Sequence, residues 1–396
     1  MKKVVSIVLI IIMIFSLGVI SFAENNKNNR AELNSLYAST DISIGERARS
    51  VYLCEATTGK VLYAENEFLA ASPASVTKIM TLLLVAEAIR DGNINLDDKV
   101  YVSANAASMG GSQIFIKEGE EFTVEELLKS TVIASANDAA VALAELISGT
   151  EDAFVDRMNE RAEQLGMKNT HFENATGLDD TVTNHLTSAY DIALMSRELI
   201  KHDTVTKYSN VWQDSIRNGE FVLTNTNRLV RYYDGCTGLK TGSTDKAGFC
   251  VSATAERDGM HLIAVVMGAE TRDARNEAAR AMLDFGFSGY ALYTAPETDL
   301  EYAEVLRGTC DEVLVCSSEF SKLVSKSDKK RIEKEFYIPE TLTAPLRAGD
   351  VVGSVIYKLD GEEIGKSDVF VKEDVQEITV CKLFLRILKT VLTGNN

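Results

Sequence analysis

The stretch "GLKTGSTDKAGFCVSATAERDGMHLIAVVMGAE", residues 238–270, decides the fold. It contains three strand-like runs, "GLKTGST", "GFCVSATAE" and "HLIAVVMGAE", and the turn Arg257-Asp258-Gly259 joins the last two. Short apolar runs bounded by turn residues read as strands, and a tight reversal makes its neighbours antiparallel. Far upstream, "SVYLCEATTGKVLYAENE" (residues 50–67) places two alternating apolar runs around Thr57-Thr58-Gly59, a hairpin pattern.

The region between reads as helices. Ser72 suits an N-cap and Pro73 a first helical position, after which "SVTKIMTLLLVAEAIRDG" runs as an apolar helix to a stop at Gly92. Thr123 opens a capping box with Glu126 ahead of "VEELLKSTVIA". "SANDAAVALAELISG" restarts a helix with Ser135–Asn137 at the junction, and "EDAFVDRMNERAEQLG" is amphipathic and closed by Gly166. "TSAYDIALMSRELIKH" and, after the strands, "TRDARNEAARAMLDFG" add two more. A hairpin, a block of helices, three strands and a helix predict an α+β domain over residues 46–289, an antiparallel sheet covered by helices. From 290 to 375 the texture changes to short β-like runs such as "VVGSVIYKL", which predicts a small all-β domain.

Both ends stand apart from these domains. "MKKVVSIVLIIIMIFSLGVISFAENN" has a Lys2–Lys3 head, an apolar run and small residues Ser21 and Ala23, the pattern of a secretory signal peptide (1–23). Cleavage there shifts the net charge from −17 to −19 and places the mature protein outside the cytoplasm. The alternative is an uncleaved anchor helix. Residues 24–45 are polar and Asn-rich, a linker. At the other end, residues 376–396 include "ITVCKLFLRILKTVLTGNN". Its Lys382, Arg386 and Lys389 share one helical face, and apolar residues fill the rest. Fifteen residues from Ile378 to Leu392 reach only about 22 Å as a helix, short of a ~30 Å hydrocarbon core. The pattern predicts an amphipathic helix lying on a membrane surface; the alternative is a helix docked on its own domain.

Composition excludes some classes. The acidic balance gives no basic footprint for nucleic acid. Four scattered histidines (171, 185, 202, 261) and no C-x-x-C make no metal-ligand spacing, so no metal or other cofactor is expected. The six cysteines are expected to be mostly buried free thiols, with Cys310–Cys316 the one local pair worth considering.

The chemistry-bearing candidates are Ser75 and Lys78, in "ASPASVTKIMTLLL". A serine hydroxyl needs a base, and helical residues three apart share a face. The helix dipole at Ser75 favours developing negative charge. Lys78 can act as that base only if burial or a neighbouring cation keeps it neutral. The spacing alone decides nothing, since it recurs at Ser243–Lys246 and Ser327–Lys330, and an ordinary helix entrance with a solvated lysine fits it equally. Two further motifs follow in order: Ser135-Ala136-Asn137, then Lys240-Thr241-Gly242. Ser103–Asn105 in "VSANAAS" is a decoy for the middle one, being upstream of the capping-box helix.

S-x-x-K, S-x-N and K-T-G in that order resemble the penicillin-recognising serine enzymes. "PASVTKIMT", "GSQIFIKEGEEFTVEELLKSTVIASANDAAVALAE" and "GLKTGSTDKAGFCVSATA" bring the resemblance to the D-alanyl-D-alanine carboxypeptidases, low-molecular-mass penicillin-binding proteins. It covers residues 45–288 and extends, more weakly, to the β domain and the tail. It implies a β-lactamase/transpeptidase-like catalytic domain at the outer face of the cytoplasmic membrane, acting on peptidoglycan stem peptides ending in D-Ala-D-Ala. In these roles Ser75 is the nucleophile that becomes acylated and Lys78 its base, with Lys240 holding the Lys78 pKa down. Ser135 relays a proton to the leaving amine and Asn137 bonds the substrate backbone. Lys240 and Thr241 hold the terminal carboxylate. Gly242 admits a close approach, and the Ser75 and Ser243 amides form an oxyanion hole. β-Lactams are implied as acylating inhibitors. Two departures are Ala136, where the lactamase motif has Asp, and Ser243, where some carboxypeptidases carry His. The competing readings are a secreted β-lactamase, a D,D-endopeptidase and a non-catalytic wall-binding module.

Overall fold

The computed structural model describes residues 47–393. The expected signal peptide (1–23) and linker (24–45) lie outside them. The chain divides into two compact units: the first ends at Gly286, and the second begins at Phe287 and takes in the turn at Asp258–Met260.

The first unit is built on a five-stranded sheet. Strands β1 (Ser50–Glu55) and β2 (Val61–Glu65) form the expected hairpin, and β3 (Cys236–Thr244), β4 (Gly248–Arg257) and β5 (Met260–Ala269) follow from the deciding stretch. Their order is β2-β1-β5-β4-β3, so the N-terminal hairpin joins the sheet through β5, with Val51 opposite Val266. That places β3 at the far edge. Successive strand residues face opposite sides. Tyr52, Cys54, Ile263, Val265 and Met267 face the main helical core, with Ile79, Leu83, Val141 and Ile192. Those four come from α1 (Lys78–Arg90), α3 (Asn137–Ser148) and α5 (Ala189–Leu199). Helices α2 (Val124–Ile133) and α4 (Glu151–Gln164) complete that layer. Helix α6 (Arg272–Gly289) takes the other side, where a Cβ at Gly286 would lie 2.4 Å from Leu262 and 3.4 Å from Leu62. The fold is α+β, as expected.

Local chemistry explains the helix ends. Thr123 and Glu126 form the full capping box at α2, and Ser188 caps α5 by accepting from the Asp191 amide. Gly92, Gly149 and Gly166 follow α1, α3 and α4 with positive φ.

The second unit is a six-stranded sheet with a two-stranded pair, Tyr290–Ala295 with Phe320–Ser325. Its core is Val315, Val355, Tyr357, Val369 and Val371, with Phe320 stacked on Tyr357 at 4.0 Å between ring centroids. Helix α7 (Val380–Thr393) follows. All six cysteines are free. Cys310 and Cys316 do not pair: Cys316 is buried in a strand with its thiol donating to Asp299 Oδ1 at 3.0 Å, while Cys310 is exposed.

Candidate active site

Ser75 does not sit in α1 itself. It lies in a 3₁₀ turn, Ala74–Thr77, that leads into the helix. The Ser72 cap does not form either. Its hydroxyl donates to Asp179 Oδ2 at 2.8 Å, and Thr244 Oγ1 donates to the same oxygen at 2.6 Å. The charged carboxylate is a strong acceptor and orients the Ser72 hydroxyl toward itself, and no side-chain cap bond forms at the turn. Asp179 thus ties the approach to the turn to the end of β3. Ala74 is held at φ 49°, and Gly177 packs so closely that a Cβ there would lie 1.8 Å from Ala74 O.

Lys78 is fully buried, with Nζ 3.0 Å from Ser75 Oγ, 2.5 Å from Asn137 Oδ1 and 2.8 Å from Thr176 O. Burial first, and the Lys240 charge second, hold its amine well below the usual lysine range, while Asp138 pulls the other way. A neutral amine has two N–H donors and one lone pair. Asn137 and Thr176 offer only acceptors here, so they take the two donors and leave the lone pair facing the serine O–H.

Asn137 and Ser135 come from the junction between α2 and α3. Asn137 Nδ2 donates to Gly110 O at 2.7 Å, and its amide donates to Ser112 O at 2.7 Å. Ser135 is held at φ 62°, and its Oγ is buried without a hydrogen bond among the described residues. Ser135 also lines the cleft described below, so this hydroxyl is available to a group bound there. The decoy Ser103–Asn105 is structural: Ser103 caps a short helix, and both side chains donate to Glu145.

Strand β3 brings Lys240, Thr241, Gly242 and Ser243 past the serine turn. A Cβ on Gly242 would lie 2.7 Å from Ser75 N, 2.8 Å from Pro73 O and 2.9 Å from Val76 N. Thr241 Oγ1 donates to Thr226 Oγ1 at 2.8 Å, and Ser243 is exposed. Lys240 is buried; its Nζ donates to Thr241 O, and burial, then Arg275, pushes its pKa down to about 7. Arg275 is also buried, and that burial brings it down to about 10.

Ser75, Ser135, Thr241, Gly242 and Ser243 line one cleft of about 630 Å³. Arg228, Arg272 and Arg275 line it too, and among the described residues no carboxylate does. In an acidic chain, that makes the cleft an anion site. Asn137, Lys78 and Lys240 are buried next to residues that line it. The other S-x-x-K spacings gather nothing comparable: Lys246, Ser327 and Lys330 are all exposed.

Several contributors carried no pattern in the sequence. Asp138, buried, accepts from the amides of Ile114 and Ile116 and so fixes the loop opposite Asn137. Thr176 lends only a backbone carbonyl. His185 accepts from the Glu173 amide at Nδ1 (3.0 Å), so Nε2 carries the proton and faces Thr77 Oγ1 at 2.8 Å. Burial pushes its pKa down to about 4, so the ring stays neutral. Arg275 lies on the buried stripe of α6, where position alone does not separate it from packing. Among the described residues, Glu87, Glu198 and His202 bring possible metal ligands within 4.8 Å of one another, but Arg161 pairs with both carboxylates there.

Comparison with known proteins identifies the family. Residues 38–271 match the family model described as D-alanyl-D-alanine carboxypeptidase, and residues 292–377 match that of the penicillin-binding protein 5 C-terminal domain. The chain is 42% identical to D-alanyl-D-alanine carboxypeptidase DacF of Bacillus subtilis, over 95% of each chain. It is 33% identical to DacC of Escherichia coli, over 83% of this chain and 84% of that one. Among solved structures, penicillin-binding protein 5 from Haemophilus influenzae superposes with TM-score 0.71 at 30% identity, covering 84% of this chain and 98% of that one. Penicillin-binding protein D2 from Listeria monocytogenes, solved in an ampicillin-bound form, gives TM-score 0.56 at 31% identity over 61% of this chain and 97% of its own.

Proposed function

This chain belongs to the D-alanyl-D-alanine carboxypeptidase family, and from that premise we propose that its reaction runs through an acyl-enzyme on Ser75. The protein is a serine D-alanyl-D-alanine carboxypeptidase and a penicillin-binding protein, a reading favoured over the β-lactamase and endopeptidase alternatives. One observation carries the mechanism: a fully buried lysine amine 3.0 Å from Ser75 Oγ, with its other contacts all acceptors.

Lys78 takes the Ser75 proton as the hydroxyl oxygen attacks the carbonyl between the two D-alanines. The Ser75 and Ser243 amides receive the oxyanion. Ser135 Oγ, buried and unpaired, passes its proton to the departing amine of D-alanine and is reprotonated by Lys78, so the Ser75 proton ends on the leaving group. Lys240 and Thr241 hold the terminal carboxylate, and Arg275 and Arg272 at the same cleft reinforce them. Asn137 both orients Lys78 and bonds the substrate backbone. Water then hydrolyses the acyl-enzyme. β-Lactams mimic the same peptide, with a reactive cyclic amide and a nearby carboxylate, so they acylate Ser75 as well. The test is D-alanine release from diacetyl-Lys-D-Ala-D-Ala by the purified protein. Rapid benzylpenicillin turnover without D-alanine release would instead make it a β-lactamase.

Gly242 admits no side chain, because a methyl group would strike backbone atoms on both sides of Ser75. Gly242→Ala is expected to slow acylation by fluorescent penicillin roughly 10²-fold, the usual cost of displacing a reacting group by about 1 Å. The backbone must shift to relieve these contacts, so the melting temperature should fall too, and labelling is compared on the folded fraction at a temperature well below that melting point. Unchanged labelling would show that β3 does not set the Ser75 position.

The proposed location is the outer face of the membrane, supported by the signal-peptide pattern of residues 1–23 and by the C-terminal helix. No described helix is long and apolar enough to cross a membrane. Helix α7 has 14 residues, about 21 Å, and exposes Val380, Phe384, Leu385, Val391 and Leu392. Arg386 on the same helix pairs with Asp311. An apolar face beside a cationic one suits the headgroup boundary. Deleting residues 378–396 is expected to move the protein from the membrane pellet to the supernatant with D-alanine release intact. A truncated protein that still pellets would refute this anchor.

A further inference from the structure

Phe115 is a bulky residue in a backbone conformation that bulky residues avoid: its φ is 57° and its ring is 66% exposed. The residues on either side, Ile114 and Ile116, are buried in the core. A left-handed backbone at a large side chain is strained, and strain of this kind persists only where the surroundings enforce it. Here two charged side chains do so. The Asp138 carboxylate accepts from the Ile114 amide at 3.1 Å and the Ile116 amide at 3.3 Å. From the other side, the Arg217 guanidinium donates to Ile114 O at 3.2 Å and Phe115 O at 3.3 Å.

The clamp is itself held. Arg217 pairs with Glu120 at 3.1 Å and lies over the rings of Phe122 and Phe221. Arg217 and Asn218 both adopt positive φ, so the strain at Phe115 is matched by strain in the residue that secures it. Asp138 directly follows Asn137, so the junction that positions Asn137 in the site also secures this loop. Ser112 lines the cleft, and Phe115 is three residues further on, at most about 11 Å of chain away. An exposed aromatic ring is therefore held within about 11 Å of chain of the cleft-lining Ser112 at an energetic cost, and the folded protein gains no packing from its exposure.

We infer that Phe115 is a substrate-recognition residue, packing against the sugar-bearing part of the peptidoglycan stem outside the cleft. The inference rests on the carboxypeptidase reading. The terminal dipeptide occupies the cleft, and the rest of the stem and its sugar must lie outside it. A sugar ring has an apolar C–H face, and a rigid aromatic ring offers a flat apolar surface at little entropic cost.

The test compares kcat/KM for a disaccharide-pentapeptide with that for diacetyl-Lys-D-Ala-D-Ala. Wild type should favour the sugar-bearing substrate, and Phe115→Ala should lower that ratio about fivefold to tenfold. Phe115→Gly suits the positive φ and so removes the ring without disturbing the loop; it should lower the ratio equally, while Phe115→Tyr keeps it. A ratio unchanged in both Phe115→Ala and Phe115→Gly, including an equal loss on both substrates, overturns the inference. Absence of D-alanine release from either substrate by the wild-type protein would instead overturn the carboxypeptidase reading itself.

Discussion

Ser75→Ala is expected to abolish D-alanine release, by roughly 10⁴-fold or more, and to abolish labelling by fluorescent penicillin. Both reactions need the same oxygen, so they should vanish together. The fold should survive the change. The hydroxyl makes a single hydrogen bond, to Lys78, and alanine fits the half-buried position in the turn. Lys78 keeps Asn137 Oδ1 and Thr176 O as partners. A Ser75→Ala protein with activity within tenfold of wild type would contradict the mechanism.

Removing the base is the second large effect. Lys78→Ala should cost about 10²–10⁴-fold in acylation, the range for losing a positioned proton acceptor. Lys78→Arg should be as inactive, because a guanidinium keeps the charge yet cannot take up a proton. Near-normal activity in Lys78→Arg would mean that Lys78 acts only through its charge. The pH dependence has a definite sign. Burial and Lys240 lower the Lys78 pKa, so the amine is neutral and competent above that value and idle below it. Wild-type kcat/KM should therefore fall on the acid side. Lys240 has the opposite requirement, since it holds a carboxylate only when protonated. With its pKa near 7, binding should weaken as pH rises through that range, unless the arriving carboxylate raises it. A kcat/KM that is flat across the acid range would contradict the role of Lys78.

Much of the fold was legible because it depends on local chemistry. The capping box at Thr123–Glu126, the turn at Asp258-Gly259 and the glycine stops all depend on residues within a few positions of one another. The pairing of β1 with β5 was not legible, because Val51 and Val266 meet only through tertiary packing. The missing Ser72 cap has a similar origin: Asp179, far along the chain, accepts from that hydroxyl and orients it. The candidates Ser75, Lys78, Ser135, Asn137 and Lys240 came from motif order, and the structure brings them together. What escaped were the groups that act without a motif. Thr176 contributes a carbonyl that any residue could supply. Asp138 reads as an ordinary first-turn acid. Arg275 is an arginine on a helix until the fold aims it at the cleft. Phe115 was hidden because an exposed phenylalanine has no pattern, and its significance lies in a backbone angle.

The most direct test is to find the atom that a β-lactam modifies. The wild-type protein is acylated, digested with trypsin and mapped by mass spectrometry with fragmentation. The account predicts one adduct, on the peptide of residues 61–78, with fragment ions assigning it to Ser75 rather than Ser72. An adduct on Ser135 or Ser243, or none on residues 61–78, would contradict it.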